Sequence, residues 1–509
     1  MRLTRHLWMW APVIALAVVM TVVVVARPSN SDPGSAAAEP AGPAADTDPV
    51  TECEGPQVPE LDSSPPCMEF SGDNGGATYQ GVTGDSVKVV EIRAEENPQV
   101  SALLQQAGVI ESPGDSVEFT EKAIEFLNEK YQLYGRTIEL VQFDSECPLT
   151  PLDFDRCRAS VQEVVDMEPF AILWPASGYP EVFDEFTRAG ILTIGGDSLP
   201  ASWYSDDAPL RWNVSMDADT NIEGVADFYC KKLAGKPADH TGVEIHSSIG
   251  ARGEVTRKLG VVMVEGDNQS VQAEKLYTEL AKCGEPEPPT FTYDPDITRA
   301  AETANALVTG MISEGVTTMI CLCDPVAPVF NLPVMTAQGW FPEHVLPGVG
   351  LLDADPVARL YDPAQWAHAF GPSMIPNATD LDESDAQTVW SEMGGEGPVC
   401  GTCDARWPFY SLLGSMLQLA GPDLTPANVE VGLFTRDGSD TAPGDPTQPV
   451  VSFAPGKYNA LSDHREVWWD PDLVSARDDG VGAYVAVNDG IRTPVGQFDE
   501  TLDVPVAPR

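Results

Sequence analysis

Basic side chains are scarce in this sequence. The 509-residue chain carries 29 Lys and Arg against 78 Asp and Glu, a formal charge of −49. So acidic a surface repels nucleic acid phosphates and anionic lipid faces, which removes both from the expected partners. The charge reads first as a solvated, salt-tolerant surface and does not by itself report the charge of a ligand. Histidine is sparse too. The six are dispersed, with no H-E-x-x-H or other metal-ligand spacing, so no metal and no cofactor is expected. There is no P-loop and no G-x-G-x-x-G. The serine that stands before a helical pattern, Ser177, lies in Ala-Ser-Gly rather than G-x-S-x-G and has no identifiable His partner, so a nucleophile elbow is not indicated. Carboxylates are too abundant for any pair of them to mark acid–base catalysis. The expectation is a protein that is not an enzyme.

Long apolar runs are missing as well, except at the start. Leu7–Ala26 is an uncharged run of 20 residues behind Arg2 and Arg5, about the length an α-helix needs to cross a bilayer. A positive segment before an apolar stretch is the export pattern. Residues 1–26 are therefore expected to be a signal peptide or a membrane anchor. Val24 and Ala26 offer a small-residue cleavage site, yet retention as an anchor is the preferred reading, with secretion after cleavage as the alternative. No Cys directly follows the run, so a lipid anchor of the bacterial lipoprotein kind is not available; the first is Cys53. Residues 27–80 are rich in Pro, Ala, Gly, Ser and Asp and are expected to form a disordered spacer, because they cannot bury enough apolar surface to offset ordering entropy. The roughly 430 residues that follow exceed one ordinary core, so two lobes or domains are expected.

Ten cysteines in an exported chain read first as disulfides. Cys53 with Cys67 would close a small loop. Cys147 and Cys157 flank a strand-to-helix loop, and Cys230 and Cys283 each lie near the end of a predicted helix. Cys400 and Cys403 form C-G-T-C, and Cys321 and Cys323 form C-L-C. These four leave alternatives open: disulfides, a closed four-thiolate zinc site, or a redox motif.

Apolar runs alternate with helical patterns. Ser86–Arg93, Thr137–Phe143, Phe170–Trp174 and Ile191–Gly195 read as strands, and Phe119–Tyr131 and Asp155–Met167 as helices between them. The rhythm restarts with helix Asn221–Leu233, strand Lys258–Val264, helix Ser270–Lys282, strand Thr290–Tyr293, helix Thr298–Glu314 and strand Val316–Leu322. Helix Pro408–Ala420 and an aromatic, strand-like tail come later. This is the βαβ order of two parallel-sheet units, with ligand sites at the carboxyl ends of the strands.

The residues resemble a family. GVTGDSVKVVEI and FLNEKYQLYGRTIELVQFD, then KLGVVMVEGDNQSVQAEKLYTELAKCG and MISEGVTTMICLCDPVAPVFNLPVMTAQGWFPEHVLPG, follow the order found in type I periplasmic binding proteins of the leucine/isoleucine/valine-binding group. These are the solute receptors of ABC importers. SFAPGKYNALSDHREVWWDP is similar to the C-terminal segment of actinobacterial members. The resemblance spans about residues 81–490. It implies an α/β fold of two doubly wound parallel-sheet lobes joined by three hinge crossings, near residues 214–218, 360–372 and 450–458. Lobe 1 would be residues 81–215 plus 370–452, and lobe 2 residues 216–365 plus 455–500.

It also implies where a solute would sit. The Ser177, Gly178 and Tyr179 positions match the serine and helix start that receive the ligand carboxylate, a site suited to an anion. Gly196, Asp197 and Ser198 follow the next strand, although Asp197 departs from the small residues usual there. Asp267 and Asn268 fall where an aromatic or polar contact is usual, and the aromatic is missing. Asp324 follows the strand ending at Leu322, and Asp353 stands near the acid that pairs with an amino group. The implied function is capture of a small polar solute, an amino acid or related amine or amide, by hinge closure for a membrane ABC permease, the protein acting as a monomer. A membrane-anchored sensory receptor using the same cleft without transport is the alternative.

Overall fold

The computed structural model describes residues 50–95, 98–106, 113–148, 153–174, 180–196, 199–242, 255–435, 445–501 and 503–504. The apolar run Leu7–Ala26 lies outside them. Order begins earlier than composition implies. Strands β1 (Val50–Pro56) and β2 (Pro66–Phe70) pair antiparallel and are joined by the Cys53–Cys67 disulfide. The expected spacer to residue 80 is corrected here: Val58 and Leu61 are buried in the lobe 1 core. The Asp385 carboxylate accepts from the Asp62 and Ser63 N–H groups, each at 3.0 Å, and Gln418 Nε2 donates to the Pro66 carbonyl at 2.6 Å. Two apolar anchors, a cross-link and satisfied backbone groups hold a segment whose average composition is that of a linker.

Lobe 1 is built on a parallel five-stranded sheet in the order β4-β3-β5-β6-β7. The strands are β3 (Ser86–Glu95), β4 (Thr137–Pro148), β5 (Ala171–Trp174), β6 (Leu192–Gly195) and β7 (Arg211–Trp212). Between them run α1 (Pro98–Gln106), α2 (Pro113–Lys130), α3 (Phe154–Asp166), α4 (Pro180–Arg188) and α5 (Ala201–Asp206). Phe119, Ala123, Phe126 and Leu127 recur on one face of α2 and are fully buried, the stripe expected of a helix laid on a sheet. Asp153 caps α3 by accepting from the Asp155 and Arg156 N–H groups, and Cys147–Cys157 ties that helix to the end of β4.

Lobe 2 carries an eight-stranded sheet whose main path is β14-β13-β12-β11-β10-β8-β9, with β15 paired to β13. Its strands are β8 (Leu259–Val264), β9 (Thr290–Tyr293), β10 (Thr318–Leu322), β11 (Glu343–Val345), β12 (Ala369–Ser373), β13 (Asp463–Val474), β14 (Val481–Ala486) and β15 (Thr493–Pro494). Helices α6 (Ala218–Lys232), α7 (Asp267–Ala281), α8 (Ala300–Glu314), α9 (Ala327–Ala337), α10 (Asp355–Ala358) and α11 (Pro363–Trp366) belong to it. β8 and β10 read as near-continuous apolar runs because both faces of a parallel strand are covered. Cys230–Cys283 links the ends of α6 and α7.

The chain then returns to lobe 1 as α12 (Asp385–Glu392), α13 (Gly401–Leu419) and α14 (Pro426–Phe434). The second crossing falls later than expected. β12 pairs in parallel with β11 and antiparallel with β13, so residues 370–373 belong to lobe 2 and the chain leaves only after Ser373. The crossings at β7–α6 and before β13 lie side by side: the Asn213 N–H donates to the Tyr458 carbonyl at 3.1 Å, and the Ala460 N–H to the Asn213 carbonyl at 3.0 Å. The four open cysteines form two local bridges, Cys321–Cys323 and Cys400–Cys403, an arrangement that leaves no thiolates for the four-cysteine zinc site.

Candidate functional site

In open parallel sheets the loops at the carboxyl ends of the strands are free to meet a ligand. Ser177, Gly178, Tyr179, Asp197 and Ser198, all expected on those loops in lobe 1, lie outside the described residues. Gly196 is described. Its φ of +86° is left-handed, and a Cβ there would stand 3.1 Å from Leu199 Cδ1 and 3.3 Å from Tyr204 Oη. The Tyr204 hydroxyl donates to the Gly196 carbonyl and accepts from Asn213 Nδ2 at 3.0 Å, so this turn is tied to a hinge residue.

Lobe 1 also presents a buried polar group that sequence reading overlooked. Glu91, on β3, is 2% exposed. Its Oε1 accepts from the Tyr410 hydroxyl at 2.8 Å and from Arg406 Nη1 at 3.1 Å. Arg406 and Tyr410 are one turn apart on α13, so both reach the same carboxylate. The Thr120 hydroxyl lies 2.7 Å from that of Tyr410, and burial pushes the Tyr410 phenol well above its usual range. Glu91 Oε2 is buried with no hydrogen-bond partner. A charged residue inside the apolar strand SVKVVEIR was the signal available from sequence.

In lobe 2 the expected contacts separate. Asp267 begins α7 after Gly266, and Asn268 sits half-buried in the first turn. Asp324 Oδ1 accepts from the Val326 and Ala327 N–H groups at 2.8 and 3.1 Å, and its Oδ2 accepts from the Tyr293 hydroxyl at 2.5 Å. Both oxygens are thus engaged, one at the start of α9 and the other with the end of β9. Burial raises the Tyr293 phenol well above its ordinary value. Asp353 is 3% exposed, and burial raises its pKa against the opposing pull of the Ser373 hydroxyl and, more weakly, of Arg465 and Arg492. It lies within a buried ionic group where β12 leaves the lobe. There Arg465 Nη1 donates to Asn377 Oδ1 at 2.9 Å and Arg492 Nε to Asp463 Oδ1 at 3.0 Å. Burial also lowers the Arg465 guanidinium to about 10. Arg465 Nε is buried there without a hydrogen-bond partner. A small apolar cavity lined by Met319, Cys321, Leu332, Met335, His344 and Trp366 is part of the lobe 2 core.

Several contacts hold the lobes to each other. The Ala218 N–H donates to the Leu199 carbonyl at 2.9 Å, and the Ala201 N–H to Asp219 Oδ2 at 3.0 Å. Arg477, between β13 and β14, donates to Asp404 Oδ2 at 2.7 Å and to the Gly401 carbonyl at 2.8 Å. At the hinge His464 is fully buried, and burial lowers its pKa to about 3. A neutral ring must then supply the hydrogen between Nε2 and Asn221 Oδ1, 3.2 Å apart.

No family model and no curated protein matches the chain. Solved structures do match it. A fatty acid ABC transporter substrate-binding protein from Thermomonospora curvata aligns with a TM-score of 0.54 and 16% identity, over 84% of this chain and 97% of that one. An ABC transporter substrate-binding protein from Aeropyrum pernix gives 0.55 and 12%, over 81% and 96%. An ABC transporter solute-binding protein from Rhodopseudomonas palustris BisB5, solved with 3,4-dihydroxybenzoic acid, gives 0.53 and 11%, over 81% and 98%. The shared feature is the fold, that of the type I periplasmic binding proteins.

Proposed function

We propose that this chain is an extracytoplasmic solute-binding protein that captures a small polar molecule between its lobes and delivers it to an ABC permease. The observation that carries the reading is the hinge. Two lobes, one on a parallel sheet and one on a mixed sheet, are joined by three chain crossings, two of which are paired through Asn213, Tyr458 and Ala460. Such an arrangement permits closure by small backbone rotations at the crossings while each lobe stays rigid. A solute that contacts both lobes favours the closed state by its differential affinity for it. No covalent step is needed. An amino acid or a related amine or amide is the solute class proposed, and anchoring by residues 7–26 would keep the protein near its permease. The fold neighbours, whose names make them substrate-binding proteins of ABC transporters, support transport.

The test uses purified full-length protein and a panel of amino acids, polyamines, amides, aromatic acids and sugars. Thermal stabilisation by one class, with the solute recovered intact, is the expected result. Steady conversion of the solute would overturn the reading. Cells lacking the protein should lose uptake of that solute; intact uptake with a lost response to it would identify a sensory receptor instead.

A further inference from the structure

We propose that Cys400–Cys403 is a thiol-oxidising site, one that accepts two electrons from a dithiol and is attacked at Cys400 Sγ. The proposal goes beyond solute capture and does not rest on it. Of the five bridges, this one and Cys321–Cys323 join no two elements, since the paired residues stand three and two apart in the chain. The others tie together segments separated by 10, 14 and 53 residues. A cross-link that closes so small a loop removes the least entropy from the unfolded chain, so its worth to the fold is small. Cys321 and Cys323 are both enclosed, at 8% and 4% exposed. Cys400 is half-buried, whereas Cys403 is fully buried in the lobe 1 core. A thiolate from outside can therefore reach one sulfur of the pair and not the other.

The helix decides the direction of transfer. Cys400 is the N-cap of α13 and, held in the bridge, makes no side-chain capping bond. At the starts of α3, α6, α12 and α14 that place is taken by an oxygen of Asp153, Asp217, Ser384 or Thr425, which accepts from a first-turn N–H. Released as a thiolate, Cys400 Sγ stands at the positive end of a 19-residue helix, in the capping position. The Thr402 hydroxyl lies 3.6 Å from it, and the Arg477 guanidinium sits on the neighbouring Gly401 carbonyl at 2.8 Å. Asp404, the acid of the first turn, is met by the same Arg477 at 2.7 Å. These groups stabilise the reduced form, and a couple whose reduced form is stabilised is an oxidant. In the first step a substrate thiolate bonds to Cys400 Sγ, the Cys400–Cys403 bond breaks, and its electron pair leaves on Cys403 Sγ. The substrate's second thiolate then attacks its own sulfur in the mixed disulfide, and Cys400 leaves as a thiolate. The substrate ends as a disulfide and the chain as a dithiol; of the substrate's two protons one ends on Cys403 and the other in solvent.

The experiment titrates the full-length protein in dithiothreitol redox buffers and reads each bridge by alkylation and peptide mass spectrometry. Cys400–Cys403 should open at a ratio of reduced to oxidised dithiothreitol at least about tenfold lower than any other bridge needs. In single turnover the oxidised protein should convert one equivalent of dithiothreitol, or of a reduced two-cysteine peptide, to its disulfide, and Cys400→Ser should lose this reaction. Conversion of the peptide identifies a polypeptide substrate, and conversion of dithiothreitol alone a small dithiol. Cys403→Ser, given the oxidised peptide, should form a mixed disulfide through Cys400 at least about tenfold faster than Cys400→Ser forms one through Cys403. Opening of Cys400–Cys403 together with or after another bridge, an absent single turnover, or equal or reversed rates in the two variants overturns the proposal. The titration needs no substitution, so it decides even where a variant fails to fold.

Discussion

Arg477 of lobe 2 and Asp404 of lobe 1 form an ion pair at 2.7 Å that bridges the two halves of the molecule. The same guanidinium binds the Gly401 carbonyl, at the first residue of α13. Both side chains are about a quarter exposed, at 25% and 24%, so the pair contributes on the order of 1 kcal/mol after solvent screening. That is enough to shift an opening equilibrium by severalfold. Arg477→Ala and Asp404→Asn should each enlarge the radius of gyration in solution scattering of the ligand-free protein, and the double variant should add little more. Additive effects would show that the two residues act separately.

Asp324 separates capping from binding. Its carboxylate caps the start of α9 and holds Tyr293. Asp324→Ala should cost about 1 kcal/mol of stability, the usual loss for a removed cap, with solute affinity changed less than twofold. Calorimetric unfolding and binding on the same variant check both parts. A large affinity loss at full stability would restore Asp324 as a ligand contact.

His344 and His464 give a signed pH dependence. Burial lowers both from 6.5 to about 3. The folded protein keeps them neutral while the unfolded chain protonates them near its ordinary value. Their contribution is therefore present above about pH 6.5 and lost as pH falls below it, at up to about 1.4 kcal/mol per pH unit for each. Urea unfolding between pH 7 and 5 should show stability falling with pH, and His464→Asn should reduce the slope. An unchanged slope in that variant would mean His464 does not titrate on unfolding in this window.

Gly224 packs its helix against the hinge. A Cβ there would lie 2.3 Å from His464 Cε1, a ring fixed by burial. Gly224→Ala gains helix propensity yet should destabilise by about 1–3 kcal/mol, because an overpacked core does not relax freely. Thermal unfolding measures this; a rise in melting temperature would mean that the ring moves aside.

The sheets were legible because their strands are apolar runs bounded by turns; Thr290–Tyr293 matches the observed strand at both ends. The hinge after Ser373 was misplaced because β12 is joined to the sheet by pairing with β13, nearly a hundred residues later in sequence, a contact that periodicity does not contain. The site was less legible still. Asp324 and Asp353 looked alike in sequence, as acids after strands. One is engaged in a cap and the other is enclosed with Arg465 and Arg492, a difference set by tertiary packing. Glu91 was passed over because a single charge in a strand also fits an exposed edge position. Only the placement of Tyr410 and Arg406, more than 300 residues away in the chain, makes it interior.

The hairpin of β1 and β2 has a mechanical consequence. Its loop grips α12 and α13 through Asp385, Gln418 and the buried Val58 and Leu61. A pull applied ahead of Val50 would therefore enter lobe 1 and be resisted there in shear by a cross-linked ribbon. Such a pull would not have to pass through the crossings that lead to lobe 2.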